Sequence, residues 1–387
     1  MNLKQMIKNE LEKDNTLATK LANMAGFKNS SPLYKFVNEE DREMESFQGL
    51  LSIIRHLSPD NEFEVMESYL LTVDPNKKTA RYALEYASIN GLRELRDRLL
   101  NLYEANCNNK ESIEWLKLYN YESKVIAEPS IRLMQEVCSL KTKHPETSAF
   151  KIVLGAYNAY GAQDFKLLKE LSDYATPLIE NIKDDYIRDC FTSRLNLLLC
   201  ASNVYRGNLE EARKTGKTGL LASWSNRVSS LICLNLGNAY IFESFDKAND
   251  YLQKALSYSD NAHSIAETKR SLSFLHSFWG KDNPYVNTES NRIDDVLDVA
   301  FYCISKGQHQ LAKIVFQIEK LDKSMMDDHQ VAYYLYLQYR LNKNLDDLFD
   351  SIKAFRKVGD LLYLKLTLIE LAKLGVDPNI LDVMGAS

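Results

Sequence analysis

The sequence predicts an all-α protein: an N-terminal helix-turn-helix module followed by a right-handed α-solenoid built from repeated helix pairs. Three observations carry that expectation. Only 14 Gly and 8 Pro occur in 387 residues, too few for a turn-rich β fold of this length. Similar turn strings recur in the second half of the chain at near-repeat spacing. Residues 1–37 carry six Lys against three acidic residues although the whole chain has a formal charge of −5, so a small basic module leads a larger acidic body. That net charge excludes a generally polyanion-binding protein and leaves room for one basic face.

The module comes first in the chain. Thr16 is placed to cap a short helix with Leu17, Leu21 and Ala25 at helical spacing, and Gly26 permits the turn that follows. Ser31 reads as the cap of the next helix and Pro32 as its first residue, with Leu33, Tyr34, Phe36 and Val37 on the inner face. A third helix begins near Met44, carries the stripe Met44, Phe47, Leu50, Leu51, Ile54 and Leu57, and stops at Ser58-Pro59-Asp60-Asn61. Two short helices around a Gly-containing turn, in a basic setting, form the pattern of a reader whose second helix enters the major groove. Lys28, Asn29, Ser30 and Ser31 then lie where a helix N-terminus favours phosphate, and Lys35 can reach the backbone or a guanine edge. A plain helical hairpin with a solvated lysine face is the alternative. The expected division is a DNA-binding domain at 1–60 and a repeat domain at 61–387.

The repeats show best at their turns. Gly207-Asn208-Leu209-Glu210-Glu211-Ala212, Ser244-Phe245-Asp246-Lys247-Ala248, Gly307-Gln308-His309-Gln310-Leu311-Ala312 and Lys343-Asn344-Leu345-Asp346-Asp347-Leu348 look like the turn and second-helix start of a tetratricopeptide (TPR) repeat. Their last residues stand 36, 64 and 36 positions apart, so the middle gap is close to two repeats of about 34 residues. Leu236-Gly237 followed by Tyr240 supplies the small and large positions that let a helix pair pack closely. Degenerate turns occur upstream at Asn90-Gly91-Leu92 and Gly161-Ala162-Gln163-Asp164-Phe165. A stacked array of this kind presents a concave wall suited to an extended peptide. Asn235 and Asn238, with Asn196 and Asn203 on the preceding pair, are the amides that can clamp a peptide main chain or else bond neighbouring helices.

Catalytic chemistry finds little support. Gly216-Lys217-Thr218 matches the end of a phosphate-binding loop, but the position five residues before Gly216 is Glu211 and the segment reads as helix. The six histidines form no metal-protease pattern, no G-x-S-x-G elbow exists, and the six cysteines contain no C-x-x-C pair, so neither enzyme, zinc, disulfide nor cofactor is expected. Tyr333, Tyr334, Tyr336 and Tyr339 read as packing between stacked helices. The first ten residues lack a secretory apolar run and no window reaches membrane-span length, so the expectation is a protein of the cytosol with no membrane partner.

Seven strings, in order, resemble one family: Leu21-Ala22-Asn23-Met24-Ala25-Gly26-Phe27-Lys28-Asn29, Ser31-Pro32-Leu33-Tyr34-Lys35-Phe36, Ala80-Arg81-Tyr82-Ala83-Leu84-Glu85-Tyr86-Ala87, Tyr186-Ile187-Arg188, Leu236-Gly237-Asn238, Phe274-Leu275 and Ile369-Glu370-Leu371. They resemble the arbitrium receptors of temperate Bacillus phages, a branch of the RRNPP superfamily of peptide-sensing regulators. The resemblance implies a homodimer, with a C-terminal dimerisation region, that binds operator DNA when peptide-free and activates a lysis-lysogeny regulator in the host bacterial cytoplasm. It implies that a short signalling peptide, a hexapeptide with an arginine near its C-terminus, binds in the solenoid and ends activation. On that resemblance Asp298 and Asp360 match the acidic positions that hold the peptide's arginine, and Arg227 and Arg81 match those that meet its carboxylate. Asp360 also follows Gly359, where an Asp often serves as a cap. The related Rap proteins, which bind or dephosphorylate response regulators under peptide control, provide the alternative function.

Overall fold

Helix starts before the apolar pattern of the module suggests. Asn2 accepts hydrogen bonds from the N–H groups of Lys4 and Gln5, capping α1 (Leu3–Lys13), and Leu3, Ile7 and Leu11 bury one face of it. The computed structural model describes residues 2–14, 16–318 and 323–385. Ala386 and Ser387, the end of the expected dimerisation tail, lie outside them. The described residues contain twenty-two α-helices and no strand, in two compact units.

The first unit comprises Met1–Leu195 and Ala222–Ser225. After α1 it contains α2 (Leu17–Met24), α3 (Ser31–Asn38), α4 (Phe47–Leu57), α5 (Glu62–Leu70), α6 (Lys78–Ile89), α7 (Arg93–Asn106), α8 (Lys110–Ala127), α9 (Ile131–Ser139), α10 (Pro145–Gly161) and α11 (Phe165–Glu180). Two caps differ from expectation. The Thr16 hydroxyl donates to Asp14 at 2.7 Å and makes no cap bond to α2. Ser31 is the first residue of α3 and not its cap, because Asn29 accepts the Ser31 N–H at 3.0 Å and so forms the turn itself. Between α2 and α3 the chain turns through Gly26 at φ +75°, a conformation that a side chain disfavours. The helix expected from Met44 is α4 and starts at Phe47, where Ser46 accepts from the Gly49 N–H at 3.0 Å.

A 3-10 turn at Pro59–Asn61 separates α4 from α5 inside the first compact unit, which does not divide near residue 60. Aromatic packing crosses it: the Phe47 ring lies 4.8 Å from Tyr186 and 6.0 Å from Tyr82. Deeper in this unit Arg194 reaches Glu85 at 2.8 and 3.0 Å and Glu122 at 2.6 Å, with all three side chains at most 3% exposed. Tyr119 donates to Glu85 and Ser88 to Glu122, so each carboxylate has a further donor. Burial pushes Glu85 above the usual carboxylate range and Arg194 opposes that shift.

α12 (Asp185–Tyr205) crosses from the first unit into the second, which comprises Asn196–Leu221 and Asn226–Ser387. The second unit adds α13 (Leu209–Leu221), α14 (Asn226–Tyr240), α15 (Phe245–Tyr258), α16 (Ala262–Phe278), α17 (Ile293–Ser305), α18 (His309–Ile318), α19 (Asp328–Asn342), α20 (Leu345–Val358), α21 (Leu361–Lys373) and α22 (Pro378–Gly385). All four repeat turns fall between helices, and α14 packs on α15 as α19 packs on α20. A Cβ on Gly237 would stand 2.6 Å from Leu252 Cγ, which explains the small residue read from the sequence. The 64-residue gap holds α16 and then a non-helical connection, residues 279–292, where a second helix was expected. Asn283 secures it by donating to the Ser273 carbonyl at 2.8 Å. Gly216-Lys217-Thr218 lies within α13.

Candidate functional site

In the second unit a cavity of about 280 Å³ opens between α14, α16, α17, α19 and α21. Leu234 and Leu297 supply apolar lining, and Glu267, Arg270, Asp294 and Asp298 supply charged lining. Helical spacing groups them: Glu267 with Arg270, and Asp294 with Asp298, are one turn apart and face the same side. Arg270 pairs with Glu267 and, at 3.0 Å, with Asp294. Gln330 completes Asp294 at 2.8 Å, and its own position is set by the capping box it forms with Asp327 at the start of α19. Burial raises Asp298 well above the usual carboxylate range; Arg270 counters this and Asp295, Asp294 and Glu267 reinforce it. Arg292 also approaches Asp294, at 3.8 Å, whereas Asp298 makes no ion pair among the described residues, so a further cation is best accommodated beside Asp298.

His329 and Tyr363 close the far side. The His329 ring reaches Asp360 through Nε2 at 3.0 Å. Burial disfavours the imidazolium, but the hydrogen bond and charge of Asp360, with Asp327 and Asp294, raise its pKa above the ordinary value. Asp360 accepts in addition from the Tyr363 N–H at 2.9 Å as the cap of α21, so the turn role read from Gly359-Asp360 is real and coexists with the ion pair. Tyr333 packs against Phe301, Tyr336 and Tyr363 as expected and also lines the cavity.

The expected wall residues disperse. Asn238 lines the cavity, and its side-chain amide makes no hydrogen bond among the described residues. Asn235 spends its amide on the Leu231 carbonyl of its own helix at 2.8 Å. Asn203 sits at the end of α12 beside Asn208, and Asn196 is half-buried on the same helix. Arg227 is exposed in the first turn of α14, eleven residues before Asn238, which is about 17 Å along the helix. Arg81 belongs to the first unit, where it pairs with Glu111 at 3.2 Å.

At the other end of the chain Lys28, Asn29, Ser31 and Lys35 are exposed and Ser30 is half-buried, all on or next to α3. Leu33, Phe36 and Val37 hold the opposite face of that helix in the core, so the polar face is turned outward.

The family model described as AimR transcriptional regulator-like matches residues 62–373. The chain belongs to the AimR family. An AimR transcriptional regulator of Bacillus phage phi3T is 32% identical over 383 residues, covering 98% of this chain and all of that one. Its counterpart from Bacillus phage SPbeta is 31% identical over the same length, with 98% of each chain covered. The solved structure of selenomethionyl phAimR matches with a TM-score of 0.89 at 32% identity, covering 99% of this chain and all of that chain. A structure of phAimR with a ligand matches at 0.69 and 29%, covering 87% of this chain and all of that chain. The fold is thus the TPR-like helical solenoid that the repeat turns predict.

Sequence reasoning about this AimR-family chain missed Glu267, Arg270, Asp294, Gln330 and His329. One signal was available. Asp294, Asp295 and Asp298 interrupt the otherwise apolar helix Ile293–Ser305, and acids in such a stretch need partners. His329 carries no comparable mark, because its partner Asp360 is 31 residues away and reaches it only through packing.

Proposed function

We propose that this AimR-family transcriptional regulator is switched by a short peptide held in the second unit and reads operator DNA as a homodimer through residues 1–60. The observation that carries the proposal is the acidic cavity. A ligand guanidinium entering beside Asp298 supplies the cation that this carboxyl group lacks, next to Asp294 and Glu267, which share Arg270. Asn238 offers an uncommitted amide to the ligand main chain. Arg227, exposed and without an ion pair among the described residues, is the anion receptor. An extended hexapeptide spans about 20 Å, enough to bridge from the cavity to Arg227. Asp360 contributes once His329 yields it. Asn196, Asn203 and Asn235 belong to the same proposal as secondary contacts, whereas Arg81 is a first-unit residue paired with Glu111 and is not part of it.

Operator contact falls to Lys28, Asn29, Ser30, Ser31 and Lys35 on the outward face of α3. Exposed apolar residues in the C-terminal segment, Leu374, Ile380 and Val383, supply the dimer contact. The peptide-free form binds DNA and activates transcription, and peptide binding stops it; no enzymatic step is involved. Calorimetric titration of candidate phage hexapeptides tests the cavity: Asp298→Asn and Arg227→Ala each lower affinity at least tenfold, about 1.4 kcal/mol, while a gel shift on promoter DNA stays unchanged. Wild-type affinity in both variants would discard this cavity as the receptor site.

A further inference from the structure

The ammonium of Lys4 on α1 donates to three main-chain carbonyls, those of Glu39 at 2.7 Å, Glu40 at 2.5 Å and Arg42 at 2.8 Å. All three belong to the turn by which the chain leaves α3, and Glu39 is the residue that ends that helix. The same ammonium lies 5.0 Å from the ring centroid of Phe36, which is buried on α3 and meets Tyr69 of α5 edge-on. An ammonium has three protons, so here every one is spent on the main chain. Glu39 is the cap of α3 and its carbonyl also accepts the Arg42 N–H at 3.3 Å, so the ammonium holds together the turn that closes the helix, at the end where the helix dipole favours a cation. Burial lowers the affinity of Lys4 for its proton, and Asp41, Glu40 and Glu43 offset this, as suits a partly desolvated cation in an acidic turn. Lys8, one turn further along α1, is exposed.

We infer that Lys4 is a positioning residue for DNA recognition: it ties the C-terminal end of α3 to α1 and thereby fixes the angle at which the polar face of α3 meets the groove. The inference rests on the assignment of α3 as the groove-reading helix. Without the clamp, the carbonyls of Glu40 and Arg42 turn to water, the turn after α3 loosens and the end of the helix frays, while its N-terminal contacts at Lys28 to Ser31 remain.

The test compares Lys4→Met with Lys8→Met, which removes the same charge from the same helix. Hydrogen exchange on the full-length free protein reads the clamp, and a gel shift reads its consequence on duplexes tiling the DNA that flanks the protein's own coding sequence. Lys4→Met speeds exchange of the amides of residues 36–42 and weakens DNA binding about tenfold, whereas Lys8→Met costs about twofold at most. In Lys4→Ala, methylammonium exchanged for sodium at constant ionic strength restores several-fold of the lost affinity, because it can occupy the carbonyl cradle. Equal losses for Lys4→Met and Lys8→Met, or unchanged exchange at the end of α3, would overturn the clamp and leave the groove-reading assignment standing. A wild-type protein that shifts no duplex would instead remove that assignment, and with it the positioning role.

Discussion

Asp360 holds two partners at once, the N–H of Tyr363 and the imidazole of His329. The second sets a pH dependence whose sign follows from the folded-state pKa of His329, which is raised above the ordinary 6.5. The stabilisation it brings is complete below about pH 6.5 and is lost as pH rises through the folded value. The melting temperature of wild type therefore exceeds that of His329→Gln most below about pH 6.5, and the gap narrows as pH rises above the ordinary imidazole range. Asp298 behaves in a related way, since its folded pKa is also raised: the cost of holding it appears as pH climbs and it ionises. Asp298→Asn is accordingly expected to melt higher than wild type at neutral pH although it binds the peptide worse, a pair of changes that thermal melts and calorimetry read separately. Over the same range a cationic ligand gains affinity, because both groups shed protons and leave the cavity more negative.

At the scale of elements, two features of the packing can be broken singly. The Arg194, Glu85 and Glu122 cluster ties α6 and α8 to the first-unit part of α12, with both carboxylates fully buried. Arg194→Met strands two buried acids and is expected to cost about 3–5 kcal/mol in urea unfolding, whereas replacing all three residues by apolar ones of similar size recovers much of it. Gly237 allows α14 to lie against α15. Gly237→Val is expected to cost about 1–3 kcal/mol through overpacking, and a loss below the error of a thermal melt would show that α14 and α15 can move apart freely.

For the whole molecule, the proposed switch requires that peptide and DNA sites share a coupling free energy. Linkage makes it reciprocal: whatever factor the peptide takes from DNA affinity, saturating DNA must take from peptide affinity. Titrating peptide with and without promoter DNA measures the factor, and a peptide affinity that saturating DNA leaves unchanged would refute the switch. Dimer formation through the C-terminal segment is tested by Ile380→Glu combined with Val383→Glu. The double variant is expected to sediment as a monomer and to lose most DNA affinity, since two half-sites are no longer read together.

What the sequence determined by itself is local or periodic: the helical class, the repeat turns at Gly207, Ser244, Gly307 and Lys343, the small Gly237, the Gly26 turn and the outward polar face of α3. Each depends on neighbours within one or two helical turns, so a single strand of text contains the cause. The tertiary structure alone decided the cavity. Arg270 meets Asp294 across 24 residues of sequence and His329 meets Asp360 across 31, both brought together by helices that stack. The same holds for Arg194 with Glu85, 109 residues apart, and for Lys4 with the end of α3, some 35 residues on. Charged side chains on separate helices leave no periodic trace of which one they face, because the repeat fixes the helix axes and lets packing choose the pairs.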